Sequence, residues 1–195
     1  MKRNIPLGVL VLAAASFAAP HAEANATFTA TLSGANEVPP VASAGTGSAT
    51  VALTFDTLEV NSLSFSGLTT PVTAATIQVA LPGMNGPVAI ILPGFPVATS
   101  GTYSLTFDLT LDGTYNSSFL TANGGTAPSA EAALIADMLA GETYINIHDS
   151  MFPGGEIRGQ LSETQNTVTP EPGTVILLGT GLLGMLRAAS RKSLS

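Results

Sequence analysis

From Asn25 onward apolar residues recur at every second position, in short runs. In "ATFTATLSG", Phe28, Ala30 and Leu32 alternate with threonines, and in "GSATVALTF" Ala49, Val51, Leu53 and Phe55 do the same. That period of two marks strands with one buried face. "LEVNSLSFSGL" carries Leu58 and Val60, then Leu63 and Phe65. The phase slips between Val60 and Leu63, which predicts a turn or a bulge at Asn61-Ser62. "VTAATIQVALPG", "PVAIILPG" and "YSLTFDLTL" extend the series, the last placing Tyr103, Leu105, Phe107, Leu109 and Leu111 on one face. "VAIILP" is apolar on both faces, which predicts a central strand covered on both sides. Pro39-Pro40, Gly45-Thr46-Gly47, Pro82-Gly83, Pro93-Gly94 and Asp112-Gly113 separate the runs. Many short strands with this punctuation predict an antiparallel sandwich or barrel.

One interruption has a helical period. "PSAEAALIADMLAG" places Leu134, Met138 and Leu139 along a stripe, with Pro128 at its start and Gly141 past its end. Proline near the first turn and glycine after the last predict a short cover helix over about 128–140. "YINIHD" and "GEIRGQL" then form a final strand pair around the loop "SMFPGG".

The two ends have another character. The first 24 residues carry Lys2 and Arg3, an apolar run, and a small-x-small close at Ala22-Glu23-Ala24. This predicts a secretory signal peptide cleaved after Ala24 by the export machinery. The run from Ile5 to Ala19 falls short of the about 20 residues a membrane span needs. At the far end, Pro170-Glu171-Pro172 precedes an uncharged stretch from Gly173 to Leu186, then Arg187, Arg191 and Lys192. These features predict a short hydrophobic helix in the inner membrane, with a basic tail that stays cytoplasmic. That order resembles the PEP-CTERM sorting signal of Gram-negative bacteria. The resemblance implies processing near the Pro-Glu-Pro by an exosortase, and a setting of exopolysaccharide and biofilm. Residues 163–172 read as the linker to this signal, and 25–162 as the working domain.

Composition sharpens the picture. Between Asn25 and Thr169 there are eleven acidic residues against Arg158 alone, a net charge of −10. Such a domain lacks the cations needed to displace counterions from a phosphate backbone, so nucleic acid is excluded as a partner. There is no cysteine, which removes thiolate chemistry and disulfides, and no tryptophan. Charged residues reach only 10%, too few and too balanced by apolar residues for a disordered chain.

Candidate chemistry concentrates in "YINIHDSMFPGGEIRGQL". His148 and Arg158 are the one histidine and the one basic side chain of the predicted domain. Tyr144, Asn146 and His148 share one face of a strand, and Glu156, Arg158 and Gln160 one face of the next. Paired as a hairpin, these faces lie together, with Arg158 reaching Glu156, Asp149 or a carbonyl and His148 donating to one of them. No nucleophile with a base and an orienting group is marked. The reading is therefore a structural fastener rather than a catalytic pair. Asp108 and Asp112 lack the spacing of a calcium loop. "GTGSAT" precedes a strand, not the helix a phosphate needs. Asn25 and Asn116 stand in glycosylation sequons.

"LSGANEVPP" at 32–40 and "YINIHDSMFPGGEIRGQL" at 144–161 resemble the two ends of a CHRD domain, with Tyr144, Asn146, His148, Gly154, Gly155, Glu156, Arg158, Gly159 and Gln160 carrying the closing motif. The resemblance spans about Thr27 to Leu161. CHRD domains often have a His-Ile-His ahead of a Gly-Pro-Val step, and here Thr76-Ile77-Gln78 precedes Gly86-Pro87-Val88. Two such histidines and a third on a neighbouring strand could hold a metal as the copper–zinc superoxide dismutase sandwich does. His148 alone cannot complete that set of nitrogen ligands.

These readings predict an all-β domain, an antiparallel Greek-key sandwich of immunoglobulin-like or dismutase-like type. They predict a non-enzymatic exported envelope or matrix protein without cofactor, structural or adhesive in exopolysaccharide. A metal-dependent enzyme predicts bound copper or zinc. A protein-recognition module predicts one long unprotected sheet edge or an exposed apolar patch.

Overall fold

In a computed structural model, residues 25–164 are described. The segments expected to be a signal peptide and a C-terminal helix, and the Pro170-Glu171-Pro172 motif, lie outside them. The strands are β1 (Ala26–Ser33), β2 (Thr46–Thr54), β3 (Thr57–Ser66), β4 (Val72–Val79), β5 (Val88–Ile91), β6 (Gly101–Asp108), β7 (Thr143–Asp149), β8 (Ile157–Gln160) and β9 (Ser162–Glu163). Two helices, α1 (Ser117–Ala122) and α2 (Ala127–Leu139), lie between β6 and β7.

All nine strands belong to one sheet, in the order β5-β4-β7-β8-β1-β2-β3-β6, with β9 continuing beside β1. Every pairing is antiparallel. The sheet curls, so side chains from both ends of the strand order meet in one core. Phe28, Leu32, Val51, Leu63, Ile77, Ile90, Ile145 and Ile157 are fully buried there. Phe119 from α1 and Ala130, Leu134 and Met138 from α2 close it. Alternation thus predicted the strands and the all-β class, because a period of two puts each run's apolar residues on one side.

The phase slip in β3 is a bulge: its register with β6 jumps between Val60 and Leu63 while the strand continues. α2 matches the predicted helix within a residue at each end, with Pro in its first turn. α1 was not anticipated. Its signal was Asn116, whose side chain accepts the Ser118 N–H at 3.0 Å and caps the first turn.

Several apolar residues depart from expectation. "VAIILP" is not central: β5 ends the strand order, and Ile91 is 53% exposed. Alternation cannot tell a strand covered on two faces from an edge strand capped on one face by neighbouring chain. Phe55 sits in the β2–β3 turn with φ 49°, and it, Leu105, Leu111 and Leu139 are exposed. β6 stops at Asp108, before Leu111. Leu139 lies off the stripe on which Ala130, Leu134 and Met138 are buried.

The side of the sheet away from the core is split. Over β1, β2, β3 and β6 it is a field of exposed or half-buried residues such as Thr29, Ser48, Ser64 and Thr102. Over β4, β7 and β8 it is roofed by loops and buries polar side chains, and there the closing motif lies.

Candidate functional site

Register brings the motif residues together. Tyr144 pairs with Gln160 and Asn146 with Arg158 across β7–β8, while Thr76 and Gln78 on β4 face Asn146 and Tyr144. All six therefore point to the roofed side. The roof comprises the loop around Glu37 and Val38, the loop around Asn85, and the segment 150–155. Asn85 Nδ2 donates to Val38 O at 2.7 Å, and Asn36 Nδ2 donates to Arg158 O at 3.1 Å.

Arg158 is 1% exposed, and, contrary to the expectation from sequence, its side chain bonds to neither Glu156, Asp149 nor a backbone carbonyl. Its guanidinium stacks on the Tyr144 ring, 3.4 Å from the centroid. Its N–H groups donate to two neutral amide oxygens, Asn85 Oδ1 at 3.2 Å and Gln160 Oε1 at 3.4 Å. A desolvated cation over an aromatic face gains about 2 kcal/mol. Burial still lowers the Arg158 pKa from its usual value, against the opposing pull of Tyr144 and Glu37. Tyr144 is anchored in turn: its hydroxyl donates to Gln78 Oε1 at 2.6 Å and accepts from Gly86 N at 3.1 Å. Gln160 Nε2 donates to the carbonyls of Ala80 and Gly141. One arginine thus connects three strands and two loops.

Glu37, from the opening motif, is drawn into this cluster and is 5% exposed. Burial pushes its carboxyl up to about 7, although the Arg158 charge and the Asn146 side chain pull it down. Glu37 Oε1 and Asn146 Oδ1 are both buried without a hydrogen-bond partner, and both lie against Gly155. A proton on Glu37 removes the cost of holding a charge in this dehydrated place. Gly155 has φ +130°, and a Cβ there would overlap the Asn146 amide and Glu37 Oε1. Glycine is required at that position on both counts. Gly159 is required by contact: its Cβ would lie 2.7 Å from the Thr31 carbonyl oxygen. Gly154 meets no such limit, and its carbonyl faces Asn146 Nδ2 at 3.4 Å.

Glu156 leaves the Arg158 face altogether. Its Oε1 accepts from Ser43 Oγ at 2.6 Å, Thr69 N at 2.8 Å and Thr69 Oγ1 at 2.7 Å. Its neighbour Asp149 accepts from Thr70 N, Thr70 Oγ1 and Phe152 N. Burial pushes Asp149 up, but the bonds from Thr70, Phe152 and the Glu156 carboxyl outweigh it and hold it below the usual value. The pair fixes the chain at Ser43, Thr69 and Thr70 to the base of the motif loop.

His148 lies beside these groups without joining them. Its Nδ1 is 3.1 Å from Pro153 O, an atom that can only accept, so Nδ1 carries the hydrogen. Its Nε2 then accepts from Gln78 Nε2 at 3.4 Å, with Thr76 Oγ1 at 3.5 Å. Burial lowers the His148 pKa below its usual value, opposed by the Pro153 bond. No serine, threonine or cysteine nucleophile bonds to this imidazole except Thr76 at that longest distance, and Thr76 accepts from Gln78 at 2.9 Å. The two positions that hold histidines in many CHRD domains thus converge on His148 Nε2. Among the described residues no group of three or more histidine, aspartate or glutamate side chains could hold a metal ion. Asp108 and Asp112 are engaged as well. Asp108 Oδ1 accepts from Thr110 N and Oγ1, and Asp112 Oδ1 accepts from Ala127 N at the start of α2.

The family model of the CHRD domain matches residues 28–161. The chain belongs to the CHRD family. The model of the PEP-CTERM protein-sorting motif matches residues 168–192, so this CHRD protein is exported and sorted by an exosortase-type system to the envelope of a Gram-negative-type bacterium. Neither is an enzyme family. No curated protein and no solved structure matches the chain.

Proposed function

We propose that this CHRD protein is a non-enzymatic component of the cell surface or matrix, structural or adhesive in exopolysaccharide. The signal peptide is removed after Ala24. The hydrophobic segment from Gly173 to Leu186 holds the protein in the inner membrane until the exosortase cuts near Pro170-Glu171-Pro172, with Arg187, Arg191 and Lys192 on the cytoplasmic side. Residues 25–162 are delivered as a sandwich-like module whose closing motif is a fastener.

The observation that carries this reading is the fate of the motif's polar groups. Arg158 and Tyr144 are buried and bonded within the chain, Asn146 and Glu156 are buried with one side-chain atom bonded and one oxygen unpartnered, and His148 is tied to a carbonyl and an amide. A catalytic centre pairs a nucleophile with a base, and among the described residues no hydroxyl bonds to Glu37, and none to His148 except that of Thr76 at 3.5 Å. Meanwhile the exposed field on β1, β2, β3 and β6 offers uncharged hydroxyls.

The test is co-sedimentation of the mature protein with exopolysaccharide from the producing bacterium. Binding that survives the Arg158→Lys and His148→Gln substitutions supports an adhesive surface outside the motif. Absence of binding at low salt, with and without calcium, refutes the matrix role. Mass spectrometry of the same sample reads both processing sites.

A further inference from the structure

The two ends of the strand order are unlike. β5 is four residues long, lies between Pro87 and Pro93, and its Ala89 carbonyl already accepts the Asn116 N–H at 2.8 Å. Short length, flanking prolines and a covering loop are how natural sheets close an edge. β6 is eight residues long, Gly101–Asp108, with no proline, no lysine or arginine and no bulge of its own, and the chain that follows bonds to it only at its end, where Thr114 Oγ1 donates to Asp108 O. Among the described residues no backbone group from 102 to 107 bonds to anything beyond its β3 neighbour. Leu105, in the middle of the strand and on the core side, remains 37% exposed because the sheet ends there.

The strand's own order says what fits that edge. Laid antiparallel to a second copy with Leu105 opposite Leu105, Tyr103 meets Phe107 on the core side. On the other side Ser104 meets Thr106 and Thr102 meets Asp108. Each is a favourable or neutral cross-strand pair, and no like charges oppose. Among the described residues one edge stands open, and that decides the product. A two-fold pairing uses both edges and closes, whereas a filament needs two open edges on each chain. We infer that β6 is a self-pairing edge through which two copies of this protein join into one continuous sheet about Leu105.

An eight-residue edge is smaller than the about 1,200 Å² of a standard stable interface, so the dimer is weak and suits molecules concentrated at a surface. The acidic domains repel, and salt screens that repulsion within about 10 Å. Pairing therefore strengthens as salt rises.

The chain has no cysteine, so single cysteines map the contact in the full-length protein under mild oxidation. Leu105→Cys places two thiols opposite each other, where Cβ atoms are about 5 Å apart and a disulfide is within reach. Ser104→Cys faces Thr106 of the second copy, so its own mate lies on the diagonal at about 7 Å, too far. Val97→Cys is 80% exposed and away from the edge. Leu105→Cys should form covalent dimer on the order of tenfold faster than either control, through its high effective concentration, and faster again in added salt. Equal rates for the three variants overturn the proposal, as does a Leu105→Cys adduct to a different protein. Circular dichroism confirms that each variant is folded, and a variant that is not is replaced by Thr106→Cys with Ser104→Cys as a mixed pair, which must cross-link if the register is right.

Discussion

Glu37 makes the fold of this CHRD protein sensitive to pH in a direction opposite to that of a salt-bridged or hydrogen-bonded carboxylate such as Asp149. Its carboxyl is raised from an ordinary 4.5 to about 7 by burial beside Asn146 and Gly155. Between those values the folded protein holds a proton that the unfolded chain has released. Stability contributed by Glu37 is therefore complete below pH 4.5 and is lost as pH rises through 7. At about 1.4 kcal/mol for each tenfold change in proton affinity, the full effect approaches about 3 kcal/mol. The groove beside the residue, about 580 Å³ and open to solvent, reduces this toward about 1–2 kcal/mol. Two other groups in the cluster act in or near the window. His148 is held below its usual value of 6.5, so it favours the folded state more as pH rises toward 6.5 and masks part of the Glu37 slope. Asp149, also held below its usual value, acts only at lower pH, where its stabilisation is lost on acidification. Arg158 stays charged throughout. Glu37→Gln isolates the contribution, since an amide keeps the shape of the protonated carboxyl and does not titrate in this window. Urea unfolding of both proteins across pH 4.5 to 8 should show the variant gaining on wild type as pH rises, to about 1–2 kcal/mol at the alkaline end. Parallel curves across the window would refute the account of a buried proton at Glu37.

Other substitutions test other parts of the cluster. Arg158→Lys keeps the charge but loses the planar stack on Tyr144 and both amide bonds, and should cost about 2–4 kcal/mol in chemical denaturation at every pH in the window. Tyr144→Phe removes a hydroxyl that bonds Gln78 and Gly86, and should cost about 1–3 kcal/mol by the same assay. Thr76→His combined with Gln78→His should create a zinc site with His148, because those positions already lie within 3.5 Å of its Nε2. Calorimetry should find one zinc bound per chain in that variant, and His148→Gln in the same background should abolish it. Asn116→Ala should cost about 1 kcal/mol by uncapping α1.

The strands, the β3 bulge, α2 and the sorting motif near the C-terminal end could be read from residues near one another in the chain. Each depends on a local rule: a period of two, a slip of phase, a proline before and a glycine after a helix, a basic cluster beside an apolar run. The pairing of Asn146 with Arg158 could also be anticipated, since a short hairpin constrains its own register. The α1 cap at Asn116 was present in the sequence but too brief to stand out. By contrast, β5 at an edge, Leu105 left uncovered, and Arg158 resting on Tyr144 and Asn85 instead of Glu156 depend on which strands become neighbours. Sheet order joins segments far apart in the chain, and no local pattern encodes it. Glu37 is the clearest case. Nothing in "GANEVPP" distinguishes it from a solvated acid, and only folding brings it against Gly155 and Asn146, where dehydration rather than charge sets its proton affinity.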